Sequence, residues 1–240
     1  MKDYNILIFP CGTEVANEII NSLKYHKYFK LYFASSEGGS YCDYRGNEIS
    51  ILPFVTEELF ENRLSALIEE EKIDFIIPAH DDVAFSLSLI ENKINAQVIG
   101  QNSAVNEIVR FKDKTYNHFK NSLPIANVFI NAPLNIEFPV FTKPIRGQGS
   151  VNAQKIDSLN EYNNFFSKHK IDEFIVMELL TDEEFTIDCF SDKSDVLYFG
   201  ARTREKTTRG ISIQSTYISD ESLNKEFEKN ILEILKLFDT

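Results

Sequence analysis

The first hundred residues alternate apolar runs with amphipathic stretches, and no other feature of the chain restricts its fold as strongly. Residues 4–9 (Tyr-Asn-Ile-Leu-Ile-Phe) read as a buried strand. They lead through Pro10-Cys11-Gly12-Thr13 into residues 14–24, where Val15, Ile19, Ile20 and Leu23 recur at helical spacing and Thr13 stands at the N-cap position. A strand at 30–34, a polar loop at 35–47, a helix at 56–70, a strand at 73–78 and a short strand near 97–100 continue the series. Strands that alternate with helices in this way pair in parallel, because each helix carries the chain back to the starting edge of the sheet. Residues 1–100 are therefore expected to form an α/β domain around a parallel sheet. Ligands of such sheets sit beyond the carboxyl ends of the strands, here residues 10–13 and 79–82. His80 and Asp81 are candidate contacts for an amine or carboxylate substrate, and Asp81 is equally placed to cap the helix that follows.

Beyond residue 100 strands dominate, and residues 101–240 read as a second, α+β domain. The spacing gives helices at 112–121 and 159–169, strands at 127–130, 140–143, 152–156, 173–178, 184–190, 196–201 and 211–218, and a final amphipathic helix at 220–238. A chain of 240 residues, 43% hydrophobic and 26% charged, can bury one sizeable core or two smaller ones. Its net charge of −12 argues against general nucleic-acid binding, which needs a basic footprint. An anionic ligand must then be met by a local cluster of cations and backbone donors. No apolar run approaches the roughly 20 residues that cross a bilayer, and the N-terminus lacks a signal-peptide pattern, so no membrane partner and a cytoplasmic location are expected. Cys11, Cys42 and Cys189 form no C-x-x-C pair and read as reduced thiols.

Two stretches carry chemistry. In Phe138-Pro-Val-Phe-Thr-Lys143-Pro-Ile-Arg-Gly147-Gln-Gly149-Ser150 an apolar strand delivers one lysine beside a Gly-x-Gly-Ser loop. A rigid ammonium and closely approaching backbone N–H groups suit a polyphosphate; a hairpin turn with a surface lysine is the other reading. In Glu173-Phe-Ile-Val-Met-Glu178-Leu-Leu-Thr-Asp-Glu-Glu184-Phe-Thr-Ile-Asp188 two strands are joined by a short acidic connection. This register of Glu178, Glu184 and Asp188 resembles the ATP-grasp superfamily, with Asp182 where the family commonly has Gly. Phe111-Lys-Asp113-Lys114 resembles the family's Asp-Lys helix start.

The resemblance spans nearly the whole chain and implies a Rossmann-like pre-ATP-grasp domain at 1–100 and an ATP-grasp domain at 101–240, with a small nucleotide-binding subdomain at about 115–180. It implies that Lys114 and Lys143 contact phosphates, that the loop Gly147, Gly149, Ser150 folds over the triphosphate, that Glu178 with the backbone of Leu179, Leu180 and Thr181 meets the adenine edge, and that Glu184 binds the ribose. As a solvated helix residue Lys114 also has an ordinary reading. Arg202, Arg204, Lys206 and Arg209 concentrate cations in an acidic chain. They resemble the segment that, in ligases of the carbamoyl-phosphate synthetase type, reaches the γ-phosphate or an acyl phosphate; Arg202 is the preferred catalytic contact, and a loop that is basic by chance is the alternative.

The family's magnesium ligands, an acidic pair with an asparagine on later strands, have no counterpart here, and Glu226, Glu228 and Asn230 read as the solvated face of the last helix. The expectation is an ATP-grasp fold that is C-terminally incomplete, with ATP and Mg²⁺ as cofactors and the metal ligands beyond residue 240. In complete form it would join a small carboxylate to an amine through an acyl phosphate, and the 240-residue chain would be inactive as a ligase. A non-catalytic nucleotide- or partner-binding module, with a second copy of the chain as one candidate partner, is the alternative. A dinucleotide oxidoreductase is disfavoured, because the first strand is followed by no G-x-G-x-x-G and Ala34-Ser-Ser36 stands where the ribose-binding acid belongs.

Overall fold

The computed structural model describes residues 2–39, 41–129, 136–192, 195–208 and 210–238. They form two compact units, Met1–Arg110 and Phe111–Thr240.

In the first unit β1 (Tyr4–Phe9), α1 (Glu14–Leu23), β2 (Phe29–Ser35), α2 (Tyr41–Tyr44), β3 (Ile49–Ile51), α3 (Phe60–Glu71), β4 (Phe75–Pro78), α4 (Asp81–Ile90), β5 (Gln97–Val98) and α5 (Ser103–Arg110) follow in order. The five strands pair in parallel in the order β3-β2-β1-β4-β5. The central strand β1 shows why both faces must be covered. Leu7 and Phe9 pack with Leu64, Ile68, Val83 and Leu87 of α3 and α4, while Ile8 packs with Ala16 and Ile20 of α1. Alternate side chains leave a strand on opposite faces, so an unbroken apolar run needs helices on both sides.

Thr13 caps α1 as its position suggests: Oγ1 accepts from the Ala16 N–H at 3.0 Å and donates to the Ala79 carbonyl at 2.9 Å. At α4 the capping reading of Asp81 is corrected. Asp81 is the first helical residue, and His80 is the cap, its Nδ1 accepting from the Asp82 N–H at 3.1 Å. The 35–47 loop contains α2 and is followed by β3; one helical turn and a three-residue strand are too short to show periodicity. The unit ends after Arg110 rather than near residue 100, because α5 packs on α4 and Arg110 Nε reaches Asp82 Oδ1 at 2.8 Å.

The second unit opens with α6 (Lys112–Phe119), β6 (Val128–Phe129), β7 (Val140–Pro144), β8 (Gln154–Ile156), α7 (Leu159–Phe166) and β9 (Phe174–Glu178). Their strands form an antiparallel sheet in the order β6-β9-β7-β8. The strand expected at 127–130 is shorter, and Ile130 lies outside the described residues. Two apolar sets sandwich this sheet. Val140, Ile156, Phe174 and Val176 meet Tyr162 and Phe165 of α7; Ile175 and Met177 meet Phe141, Ile145 and Tyr116 of α6 on the other face. The chain continues through the hairpin of β10 (Phe185–Asp192) and β11 (Asp195–Thr203), the smaller hairpin of β12 (Lys206–Thr208) and β13 (Ile211–Gln214), and α8 (Glu221–Phe238). The strand expected at 211–218 is thus confined to β13, and residues 206–208 pair with it. Asp220 Oδ1 accepts from the Leu223 N–H at 2.9 Å at the start of α8. Phe227 and Leu223 then pack on Phe185, Phe199 and Ala201 of the larger hairpin.

Candidate functional site

Strand β7 sets the direction of Lys143. Val140 and Thr142 are fully buried, and alternation sends Phe141 and Lys143 to the α6 side of the sheet. There Lys143 Nζ donates to Tyr116 Oη at 3.0 Å and lies 5.0 Å from the centroid of the same ring. The Tyr116 hydroxyl donates in turn to Met177 Sδ at 3.4 Å. Tyr116 belongs to α6, two residues after the exposed Lys114, whose Nζ is 5.3 Å from the Phe111 ring centroid.

The glycine loop is tied down from two sides. From α6, the Lys112 N–H donates to the Ile145 carbonyl at 3.0 Å and Lys112 Nζ to the Gly147 carbonyl at 2.9 Å. From the smaller hairpin, Gly210 at φ +76° comes so close that an added Cβ would stand 2.7 Å from Ser150 Oγ. Gly149, Ser150 and Asn152 have φ of 66°, 56° and 57°. Left-handed backbone is uncommon at residues that carry a Cβ, although asparagine adopts it more readily than most.

Arg204 connects that hairpin to Glu184. Its NH2 group donates to the Gly210 carbonyl at 2.7 Å and its NH1 group to Thr186 Oγ1 at 3.2 Å, while Nε is 3.2 Å from Glu184 Oε2. The Arg204 side chain is only 17% exposed, whereas that of its partner carboxylate is largely in water. Lys143 and Gly147 are thus each held from α6, through Tyr116 and Lys112, while Gly210 approaches Ser150 and Arg204 links Gly210 to Glu184.

Other candidates stand apart from those contacts. Glu178, at the far end of β9, spends its carboxylate on Asn127: Oε1 accepts from the backbone N–H at 3.0 Å and Oε2 from Nδ2 at 2.9 Å. The chain then leaves the sheet, with Leu180 and Thr181 exposed and Leu179 half-buried. Arg202 is paired with Asp188, Nε to Oδ2 at 3.2 Å, in an exposed setting where such pairs contribute little. His80 and Asp81 belong to the first unit, and Arg209 lies outside the described residues. Glu226 and Glu228 are exposed on α8 and Asn230 is half-buried. Tyr116, Asn127 and Gly210 carried no motif, and Lys112 stood in the Phe111-Lys-Asp113-Lys114 stretch without an assigned role. The spacing Lys112-x-Lys114-x-Tyr116 at a helix start was the available signal, since such residues crowd one end of the helix.

A cavity of about 690 Å³ adjoins α6 and the sheet, lined among others by Lys114, Tyr116, Asn127, Val128, Ile145 and Ile175. Its wall mixes apolar residues with Asp113, Asn117, Lys120 and Asp172, and Lys143, residues 147–150, Glu178 and Glu184 are not among its lining residues.

No protein-family model matches the chain. Among curated proteins, the D-alanine–D-alanine ligase of Pelagibacter ubique (strain HTCC1062) is 26% identical over 131 residues, 55% of this chain and 40% of that relative. Among solved structures, carboxyaminoimidazole ribonucleotide synthase from Aspergillus clavatus, complexed with ATP, superposes with a TM-score of 0.78 at 10% identity over 99% of this chain and 64% of that one. The biotin carboxylase domain of Hydrogenobacter thermophilus 2-oxoglutarate carboxylase, with MgADP, ADP and bicarbonate, gives 0.77 at 15% identity, covering all of this chain and 59% of that one. The chain has the ATP-grasp fold. It spans about 40% of the curated relative's length and about 60% of these two structures.

Within the ATP-grasp fold, the sheet β6-β9-β7-β8 carries Lys143 and Glu178 on neighbouring strands, Lys143 opposite Ile175 and Glu178 opposite Val140. Three residues of extended chain separate the two levels, roughly 10 Å. Among the described residues there is no group of three or more His, Cys, Asp or Glu side chains able to hold a metal ion. No helix of the described residues is long and apolar enough to cross a membrane.

Proposed function

We propose that the second unit binds ATP and that the chain serves an ATP-dependent ligase joining a small carboxylate to an amine or similar nucleophile. The supporting observations are the hydrogen bonds that hold Lys143 and the glycine loop to α6, the approach of Gly210 to Ser150, and the contacts of Arg204 with Gly210 and Glu184. The Lys143 ammonium has three donors and gives one to Tyr116, which leaves capacity for phosphate oxygens. Lys114 at the head of α6 adds a second point charge, and the 147–150 loop offers N–H groups that follow one another through left-handed backbone. About 10 Å along the strands lies the exit of β9 at residues 179–181, whose backbone would meet the base beside Glu178, a carboxylate held by Asn127. Glu184 reaches a sugar by exchanging its exposed contact with Arg204 for two hydroxyls.

When bound, ATP would supply its γ-phosphoryl group to a carboxylate with release of ADP, and the nucleophile would then displace phosphate from the acyl carbon. Arg204, better anchored and less exposed than Arg202, is the cation we place nearest the loop where anionic charge develops. In the first unit His80 and Asp81, at the carboxyl end of β4, are proposed substrate contacts.

Calorimetric titration of the purified chain with ATP, with and without magnesium, tests the reading. The wild-type chain should bind, and Lys143→Met should weaken binding at least tenfold. Absence of binding by the wild-type chain, or equal affinity in Lys143→Met, overturns it. A coupled ADP-release assay with amino acids as candidate substrates then reports whether this chain turns over by itself.

A further inference from the structure

We infer that Tyr116 is a positioning residue for Lys143, holding its ammonium at one point on the α6 side of the sheet; the inference rests on the nucleotide reading above. A strand fixes the Cα of a lysine but not the end of its four-carbon stem. With 37 Asp and Glu against 25 Lys and Arg, carboxylates are plentiful partners for an ammonium in this chain. Among the described residues the partner of Lys143 Nζ is instead a neutral phenol, at 3.0 Å, whose ring it also overlies at 5.0 Å. A neutral acceptor restrains the ammonium without cancelling its charge, so the full charge stays available to an anion.

The phenol is itself oriented. Its O–H is directed to Met177 Sδ at 3.4 Å, which turns an oxygen lone pair toward the lysine. Met177 lies on β9 directly across from Phe141 of β7, so lysine, phenol and thioether share one face of two paired strands. Tyr116 also shares α6 with Lys112, which binds the Gly147 carbonyl at 2.9 Å. One short helix therefore sets the position of both the ammonium and the glycine loop relative to the sheet.

Tyr116→Phe removes the oxygen and keeps the ring. The wild-type chain, Tyr116→Phe, Lys143→Met and the double variant are titrated with ATP, and the unfolding midpoint of each is recorded. Tyr116→Phe should weaken ATP binding about five- to tenfold, as expected for loss of one ordinary hydrogen bond. In the Lys143→Met background the same change should have no effect, because the group it positions is gone. Unchanged ATP affinity in Tyr116→Phe overturns the inference, as does a loss that persists undiminished in the double variant, the mark of a structural role. Failure of the wild-type chain to bind ATP overturns the nucleotide reading and this inference together; a wild-type chain that binds separates the two.

Discussion

Gly210 allows the contact between the smaller hairpin and the glycine loop to be tested by a single added methyl group. Two effects of Gly210→Ala separate on the structure. The first is backbone strain: φ of +76° places alanine in the left-handed region, at about 1 kcal/mol. The second is the approach of the new Cβ to Ser150 Oγ at 2.7 Å, whereas the Ser150 nitrogen and the Gly149 carbonyl carbon remain at 3.6 and 3.7 Å, ordinary contact. Only the hydroxyl has to move, and it does so by rotation about χ1, so the backbone of the loop stays in place. Gly46→Ala is the internal control, since Gly46 has φ of +72° and nothing within 4 Å of its Cβ position. Both variants should lose about 1 kcal/mol in denaturant unfolding. Gly210→Ala alone should also weaken ATP binding, by about two- to tenfold, the worth of one hydroxyl hydrogen bond. Ser150→Ala should match it, and combining the two should weaken binding no further. Independent, multiplying losses in the double variant would show that the hydroxyl is not what the methyl group displaces, and the contact drawn here would be wrong.

In the first unit the Arg110–Asp82 pair is asymmetric, the arginine side chain 6% exposed and the aspartate 26%. Asp82→Asn, which leaves the buried charge poorly paired, should cost about 2 kcal/mol, and Arg110→Met, which leaves a carboxylate near water, about 1 kcal/mol or less, by denaturant unfolding; the reverse order refutes this account. Burial, reinforced by Cys42, pushes the Cys11 thiol up to about 12 from 9.0. The folded thiol holds its proton where the unfolded one has released it, so its contribution to stability is intact below about pH 9 and declines between pH 9 and 12. Cys11→Ser should flatten that decline in unfolding measured against pH, and thiol labelling of the native chain at pH 8 should modify the exposed Cys189 well before Cys11 or Cys42.

The parallel sheet of the first unit was legible because β1, β2 and β4 are apolar runs separated by helices with a clear apolar face, a pattern few folds accommodate. β3 was not, since Ile49-Ser-Ile51 has too few residues to display a period, and its place in the sheet comes from pairing with β2. Capping at α4 was misassigned because aspartate is the commoner cap, while imidazole nitrogen accepts equally well when the backbone turns it inward. In the second unit the lysine of β7 and the glycine loop announced themselves by composition. What the sequence could not show is which side chain holds which: that Glu178 is committed to Asn127, that Arg204 rather than Arg202 reaches the hairpin tip, and that a tyrosine restrains Lys143. Those are partnerships between residues far apart in the chain, and neither periodicity nor motif encodes them.

Arg204 also creates a competition. Its guanidinium donates to Thr186 Oγ1 and the Gly210 carbonyl while Nε lies 3.2 Å from Glu184 as an ion pair, so a sugar that drew Glu184 away would leave that cation without its paired charge. The hairpin tip leaning on Ser150 would then feel the arrival of a nucleoside before any phosphate touched the loop. On the proposed nucleotide reading a single cation would link the two ends of the ligand, and recognition of the first end would change the stiffness presented to the second.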